Sequence, residues 1–349
     1  KVNGVAKNVL FFGGGYDPKH ETPGYVSPTN DQDSQGNQLY IVDMETGAIL
    51  WWASSAAGAT MTVPDMKWSI PSQVKLFDAN NDGFVDSVYF GDLGGQVFRL
   101  DIDNGNTGNS GIGKRVQLLA KIGQTVTADT LDQRRFYEPA GVAQVLDPAT
   151  NQPYVVVAMG TGYRSHPLDV NTQDYFYVFN DRDALRSDLM TLSGGSLQAT
   201  ITPSDLATLD LTSAAGVTLT GKMGWQAALP GTGEKVLSSA LVLFGEVFFT
   251  TYIPSTGSTS SCQPVIGSSN LWRMSVIDGS VITDVNKDGV LGASDRQQSG
   301  IVQGLGGSPE LIVGQGGQNA ILAGTGVSLN KQFAQPGARR IRWYQKVKQ

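Results

Sequence analysis

The sequence contains very little cysteine and histidine, the residues that form disulfide bonds and bind zinc. Cys262 is its only cysteine, which excludes an internal disulfide framework and any cysteine-based zinc site. We interpret Cys262 as a small buried hydrophobic residue; a partner outside this sequence is the alternative. The two histidines, His20 and His166, are expected in surface loops. No apolar run approaches the roughly 18–20 residues of a membrane helix, so no transmembrane segment is predicted.

Charge is also scarce, and its sign limits the partners. Charged residues make up 16% of the chain and the net charge is -6, which argues against nucleic acid as a partner. Glycine is abundant instead, with 43 residues, and this composition favours many short strands and tight turns over helices. Only 203–209 suggests a capped turn or short helix. We predict an all-β chain that forms a single domain over residues 1–349.

A strand–turn–strand unit recurs along the chain. Its clearest copy is Gln38–Trp52, where an Asp-x-x-Thr-Gly turn joins two strands and alternation places Leu39 and Ile41 on one face. About five such units with uneven loops are typical of divergent blades, so the sequence predicts a modified β-propeller with long inter-strand loops, and Trp51 and Trp52 packing between blades. A β-sandwich is the structural alternative. Copies with drift are at 96–105, 175–181 and 271–279.

An acidic loop stands between two predicted strands. Asp78, Asn80, Asp82 and Asp86 occupy positions 1, 3, 5 and 9, and Gly83 occupies position 6, as in the opening of an EF-hand-type loop. Position 12 is not acidic, so the last of these aspartates would close the site. Crowded carboxylates repel one another unless a cation separates them, and calcium suits this spacing better than magnesium does. A metal-free Asp/Asn/Gly-rich turn is the alternative.

A second loop has a similar pattern. Asp284, Asn286, Asp288 and Asp295 occupy positions 1, 3, 5 and 12, and Val290 offers its carbonyl at position 7. Position 9 is glycine, so a water molecule would serve there. We predict Ca²⁺ binding at this loop as well, with a solvated turn as the alternative.

Several segments together resemble a known family. Gln38–Trp52 resembles the repeat of the quinoprotein-like propellers. More narrowly, the chain resembles the C-terminal domain of the PilY/PilC-type adhesins found at the tips of type IV pili. The similar segments keep their order along almost the whole chain: 12–18, 78–97, 134–137, 160–164, 224–225, 233–236, 248–254 and 339–343.

The resemblance implies a modified β-propeller with a calcium site in a blade loop. The family's ligands map onto Asp78, Asn80, Asp82 and Asp86, with the backbone carbonyl of Phe84 between them. It also implies roles in pilus biogenesis, in pilus extension and retraction (twitching motility), and in adhesion to host cells or abiotic surfaces. The implied partners are minor pilins and the pilus-tip complex, and the implied location is the cell surface at the pilus tip.

We therefore predict a binding and switching module and no enzyme. A periplasmic quinoprotein-like dehydrogenase and a glycan-binding propeller are the alternatives, although the sequence shows no cofactor-binding constellation and no Gly-x-Ser-x-Gly elbow. The basic stretch Arg339–Lys348 is interpreted as the last, solvent-facing strand. The blade count, and whether residues before Lys1 complete the ring, stay open at this point, as do the adhesion ligand and the pilin partner.

Overall fold

The computed structural model describes residues 1–22, 25, 31–123, 133–192, 194–255, 266–313, 318–323 and 327–332. Cys262 and the basic stretch Arg339–Lys348 lie outside these residues, so the predictions made for them stay predictions.

Five sheets follow one another along the chain, and most of their strands are antiparallel. The first contains β1 (Val9–Gly13), β2 (Gln38–Asp43), β3 (Ile49–Ser54) and β4 (Met61–Thr62). The second contains β5 (Lys75–Phe77), β6 (Ser87–Gly91), β7 (Gln96–Ile102) and β8 (Gly113–Lys121). The third contains β9 (Gly141–Leu146), β10 (Pro153–Gly160), β11 (Tyr175–Asp181), β12 (Ala207–Thr208) and β13 (Gly224–Ala228).

The fourth sheet contains β14 (Lys235–Val236), β15 (Leu241–Leu243), β16 (Glu246–Ile253), β17 (Ser268–Ser275) and β18 (Gln297–Gln303). The fifth contains β19 (Glu310–Val313), β20 (Gln318–Ala323) and β21 (Val327–Gln332). The described helical segments are short 3₁₀ turns at Pro18–Glu21, Asn109–Gly111, Gly194–Ser196, Pro203–Asp205 and Ala293–Arg296. The expected short helix after Thr202 is therefore a single 3₁₀ turn followed by β12.

The predicted strand–turn–strand unit is confirmed in the first sheet. The Asp43 carboxylate accepts hydrogen bonds from the amides of Glu45 and Thr46, at 2.9 and 3.2 Å. Gly47 then adopts φ 72°, a left-handed conformation that side chains disfavour. Aspartate and glycine are thus required at these two positions by the turn itself.

Alternation along the strands explains why they are buried on both faces. In β10, Val156 and Ala158 point into the hydrophobic cluster shared with the fourth sheet. Val155 and Val157 point the other way, into the cluster shared with the second sheet. Further clusters join the first sheet to the second and the fourth to the fifth. Successive sheets therefore pack face to face, as propeller blades do.

The two adjacent tryptophans have different roles. Trp51 is fully buried in the cluster between the first and second sheets, where its ring lies against Gly113. Trp52 points to the opposite face and stacks on Tyr40, with ring centroids 6.0 Å apart. The prediction of packing between blades is confirmed for Trp51. Trp52 faces the opposite side of the strand and belongs to none of the described hydrophobic clusters between sheets, so for Trp52 it stays a prediction.

A buried charge network ties the second sheet to the third. Arg99 contacts Asp101 at 2.6 Å and Asp181 at 2.5 Å, and Arg115 contacts the other oxygen of Asp101 at 2.8 Å. The Tyr89 hydroxyl donates to Asp181 at 3.0 Å. Buried ions are tolerated when they are paired in this way, so the network fixes how these two sheets meet.

Candidate calcium-binding loops

The first acidic loop connects β5 to β6 and stands at one end of the second sheet. Asn81 and Gly83 adopt positive φ values of 59° and 89°, which asparagine and glycine tolerate better than other residues do. The chain can therefore coil tightly between its two strands. Asp78, Asn80, Asp82, Phe84 and Asp86 all lie within this one loop.

Hydrogen bonds inside the loop hold each predicted ligand in place. Asp78 accepts from the amide of Gly83 at 2.8 Å, Asn80 from Asp82 at 2.8 Å, and Asp82 from Phe84 at 2.9 Å. Asp86 closes the loop by accepting from the amide of Ala79 at 2.9 Å. Carboxylate and amide oxygens have further lone pairs, so these bonds leave acceptor capacity for a cation.

The second loop lies between β17 and β18, in the fourth sheet. Asp284 accepts from the amide of Gly289 at 2.9 Å, Asn286 from Asp288 at 2.9 Å, and Asp288 from Val290 at 2.8 Å. Asp295, in the 3₁₀ turn that follows, accepts from the amide of Val285 at 2.8 Å.

The two loops share one hydrogen-bond pattern, position by position. In both, position 1 accepts from the amide of position 6, position 3 from position 5, and position 5 from position 7. In both, the residue at position 4 (Asn81 or Lys287) and the glycine at position 6 (Gly83 or Gly289) have positive φ. The closing aspartate accepts from the amide of position 2, although it stands at position 9 in one loop and 12 in the other. The shared sequence Asp-x-Asn-x-Asp-Gly thus gives both loops the same backbone conformation, because Asp and Asn side chains accept hydrogen bonds from nearby amides.

Asn104 supports the first loop from outside, and sequence reasoning missed it. It belongs to the turn between β7 and β8, and its amide nitrogen donates to the Val85 carbonyl at 3.0 Å and to Asp86 at 3.3 Å. It thereby orients the closing aspartate. The only signal in the sequence is the Asp-Asn-Gly turn, which says nothing about which loop the asparagine contacts.

Electrostatics distinguish the two closing aspartates. Partial burial raises the pKa of Asp86, and the nearby charges of Asp78 and Asp82 raise it further, against the opposing effect of the Ala79 amide. The pKa of Asp295 is lowered, chiefly by the hydrogen bond from the Gly292 amide. The first loop thus carries mutual repulsion that a cation would relieve.

The donor set fits calcium by its chemistry. It consists of carboxylate, side-chain amide and backbone oxygens, the hard ligands that Ca²⁺ takes. Among the described residues, no group of three or more histidine, cysteine, aspartate or glutamate side chains is arranged to hold a metal ion by itself. The amide of Asn80 or Asn286 and the backbone carbonyl of position 7 would therefore have to complete each site.

A second polar cluster involves His20, which is fully buried and not in a surface loop as expected. Its Nε2 lies 2.9 Å from Asp33 Oδ2, and the Ser69 hydroxyl donates to that same oxygen at 2.5 Å. Hydrogen bonds from His20 and Ser69 lower the pKa of Asp33 in spite of its burial, which alone would raise it. The serine bonds to the carboxylate and not to the imidazole, so this arrangement differs from a nucleophile–base pair.

In the part of the chain that the structure describes, no helix is long and apolar enough to cross a bilayer.

Comparison with known proteins identifies the family. A family model described as the PilY1 beta-propeller domain matches residues 19–215, more than half of the chain. The crystal structure of the Pseudomonas aeruginosa PilY1 C-terminal domain is similar in fold, with a TM-score of 0.57 and 18% identity, over 88% of this chain and 69% of that one.

Quinohemoprotein alcohol dehydrogenase from Comamonas testosteroni is more distant, with a TM-score of 0.42 and 10% identity, over 91% of this chain and 48% of that one. No curated protein matches the chain in sequence. The predicted all-β propeller-type fold is thus confirmed, and the chain belongs to the PilY1 β-propeller domain family.

Proposed function

We propose that this domain is a calcium-binding β-propeller that acts in type IV pilus biogenesis and in the control of pilus extension and retraction. Its place is the cell surface at the pilus tip, its partners are minor pilins and the tip complex, and the whole protein contributes to adhesion to host cells or abiotic surfaces. Family membership supports the link to the pilus. The hydrogen-bond pattern shared by the two acidic loops carries the calcium proposal.

The residues that would hold the first ion are Asp78, Asn80, Asp82 and Asp86 through their side chains and Phe84 through its carbonyl. The second site would use the side chains of Asp284, Asn286, Asp288 and Asp295 and the carbonyl of Val290. Bound calcium supplies positive charge that offsets the repulsion between the carboxylates and rigidifies each turn.

Rigidity matters because the first loop is continuous with the second sheet. Asp86 stands directly before β6, and the Ile102 amide at the end of β7 donates to the Asp86 carbonyl at 2.9 Å. Ordering this loop therefore fixes the surface that the end of the second sheet presents. We infer that minor pilins or the retraction machinery recognise that surface.

A cellular experiment tests the proposal. Asp78→Ala removes a ligand and is expected to change pilus number or twitching while the purified domain keeps its circular dichroism spectrum. Asp147→Ala is a matched control, because Asp147 also accepts backbone amides in a hairpin turn but has no place in either acidic loop. Normal piliation and twitching with a domain shown by calorimetry to have lost its calcium would overturn the role in pilus control.

A further inference from the structure

The two ends of the first acidic loop are held together by paired strands. β5 ends at Phe77, directly before Asp78, and β6 begins at Ser87, directly after Asp86. Phe77 and Ser87 are partners in the β5–β6 pairing, and the Asp86 amide donates to the Phe77 carbonyl at 2.9 Å. The sheet itself therefore fixes how far the first ligand of this loop lies from the last.

The second acidic loop starts at a distance from its strand. β17 ends at Ser275, and residues 276–283 separate it from Asp284, whereas β18 begins at Gln297, shortly after Asp295. The pairing of β17 with β18 therefore does not fix the separation of the two ends of this loop. Apart from the hydrogen bonds within the loop, that separation depends on side chains that flank it.

Thr283, the residue directly before Asp284, is held by a buried ion pair. Its hydroxyl donates to Glu246 Oε1 at 2.9 Å. Glu246, on β16, accepts from Arg273 Nη2, on β17, at 2.7 Å and 2.6 Å through its two carboxylate oxygens. Both charged side chains are buried. Because charge-assisted hydrogen bonds are short and strong, Glu246 is a fixed acceptor that holds the entry to the loop against the fourth sheet.

Arg296, the residue directly after Asp295, holds the other end. It is fully buried, and it donates from Nε to the Ser213 carbonyl at 2.8 Å and from Nη2 to the Ala215 carbonyl at 2.7 Å. Its Nη1 donates to the carbonyl of Gly279, in the turn after β17. A guanidinium presents its donors in a rigid, planar arrangement, so three carbonyls from two segments fix the backbone at the exit of the loop.

We propose that Thr283, acting through Glu246, and Arg296 are the positioning residues of the second calcium site. They set the separation of the ligands at positions 1 and 12, as the β5–β6 pairing does for the first loop. The inference rests on the proposed calcium binding, because it concerns the same loop. Residues that orient metal ligands contribute to metal affinity without touching the ion, so the loss of either anchor weakens calcium binding at this loop alone.

Titration calorimetry with Ca²⁺ in an Asp82→Ala background isolates the second loop and tests the inference. Thr283→Val keeps the shape of the side chain but removes the hydroxyl, so we expect calcium to bind about tenfold more weakly. Thr283→Ser keeps the hydroxyl and should restore the affinity. Arg296→Lys keeps the charge but cannot reach three carbonyls at once, so it should also weaken binding by about tenfold.

Thr251→Val is the matched control. Thr251 also lies on β16, and its hydroxyl donates to a different buried glutamate, Glu234, at 2.5 Å. Its other described side-chain contact is with Trp272 and not with the loop. Thr251→Val should therefore lower the free energy of unfolding in chelator and leave the calcium affinity of the second loop unchanged.

Three results would overturn the inference, and they separate it from the proposed function. If the Asp82→Ala chain shows neither heat nor a rise in melting temperature with calcium, the second site itself is wrong and the inference fails with it. If that chain binds calcium and Thr283→Val binds it equally well, only the positioning role is wrong. If Thr251→Val weakens binding as much as Thr283→Val does, general destabilisation and not the position of the loop is responsible.

Discussion

The two acidic loops have the same turn conformation, but different hydrogen bonds hold the aspartate that closes each loop. In the loop of the second sheet, Asp86 receives one backbone amide from within the loop and a side-chain contact from Asn104. In the loop of the fourth sheet, Asp295 is buried and accepts the amides of Val285, Asn286 and Gly292. The Asp295 carboxylate is thus held by three backbone amides, whereas the Asp86 carboxylate accepts one backbone amide and one side-chain amide.

This difference predicts which loop would gain more stability if both bind calcium as proposed. Repulsion from its neighbours and partial burial raise the pKa of Asp86, whereas amide donors lower that of Asp295. Calcium should therefore add more stability at the first loop, where it removes repulsion, than at the second, which is already organised.

The largest loss of stability is expected when Asp295, the aspartate that closes the second loop, is replaced. Asp295→Ala leaves three partly buried amides without their acceptor and should lower the free energy of unfolding by about 1–3 kcal/mol in chelator. Asp86→Ala should cost less than about 1 kcal/mol under the same conditions, because the lost hydrogen bonds are offset by relieved repulsion. Urea denaturation of both variants measures the comparison.

Asp295→Asn is the control for that experiment. It keeps one acceptor oxygen for the amides of Val285 and Asn286 but places its NH₂ group opposite the Gly292 amide, so it should recover only part of the stability lost in Asp295→Ala. Equal losses for Asp295→Ala and Asp86→Ala in chelator would contradict the distinction between the loops.

A smaller effect is expected when Asn104, which contacts the first loop from the turn between β7 and β8, is replaced. Removing a residue that orients a metal ligand typically weakens metal binding by 10–100-fold, so Asn104→Ala should lower calcium affinity at the first loop by about tenfold. Affinity at the second loop should not change. Titration calorimetry in an Asp288→Ala background isolates the first site.

Asn106→Ala provides the comparison for Asn104→Ala. Asn106 lies in the same turn, but its side chain contacts the backbone of Lys1 and Asp103 and not the acidic loop. A loss of affinity of the same size in both variants would show that the turn as a whole, and not the contact with Asp86, is responsible.

What the sequence predicted well is local in the chain. The Asp43–Gly47 turn, the strand Tyr175–Asp181 and the turn conformation of both acidic loops are each encoded within a few residues, because turn chemistry and alternation act at that range. The calcium prediction for the loops stays a prediction. The propeller prediction followed from repeats of these local units.

Contacts between distant residues were not predictable in this way. Asn104 reaches Asp86 across 18 positions, and Arg99 reaches Asp181 across 82. His20 is buried because Asp33 and Ser69 fold over it, and the proline and acidic residues near it in sequence suggested exposure instead. The candidate ligands could thus be named from the sequence, while the residues that orient them required the fold.

The smallest expected effect is a pH dependence of opposite sign at the two loops. In calcium-free protein the raised pKa of Asp86 means that the folded state binds a proton more tightly than the unfolded state does. Stability from this group therefore falls as the pH rises above the ordinary aspartate value of 3.8. Asp86→Asn removes that fall and should gain less than about 1 kcal/mol near neutrality.

The lowered pKa of Asp295 works the other way, so its contribution is present above 3.8 and is lost as the pH falls through the lowered value. Asp295→Asn should accordingly be less stable than the unmodified protein near neutrality and approach it in acid. Denaturation in chelator at a series of pH values measures both variants against the unmodified protein. Saturating calcium should abolish the advantage of Asp86→Asn, because the ion then neutralises the repulsion that the substitution removes. If Asp86→Asn kept its advantage in saturating calcium, Asp86 would not be a calcium ligand.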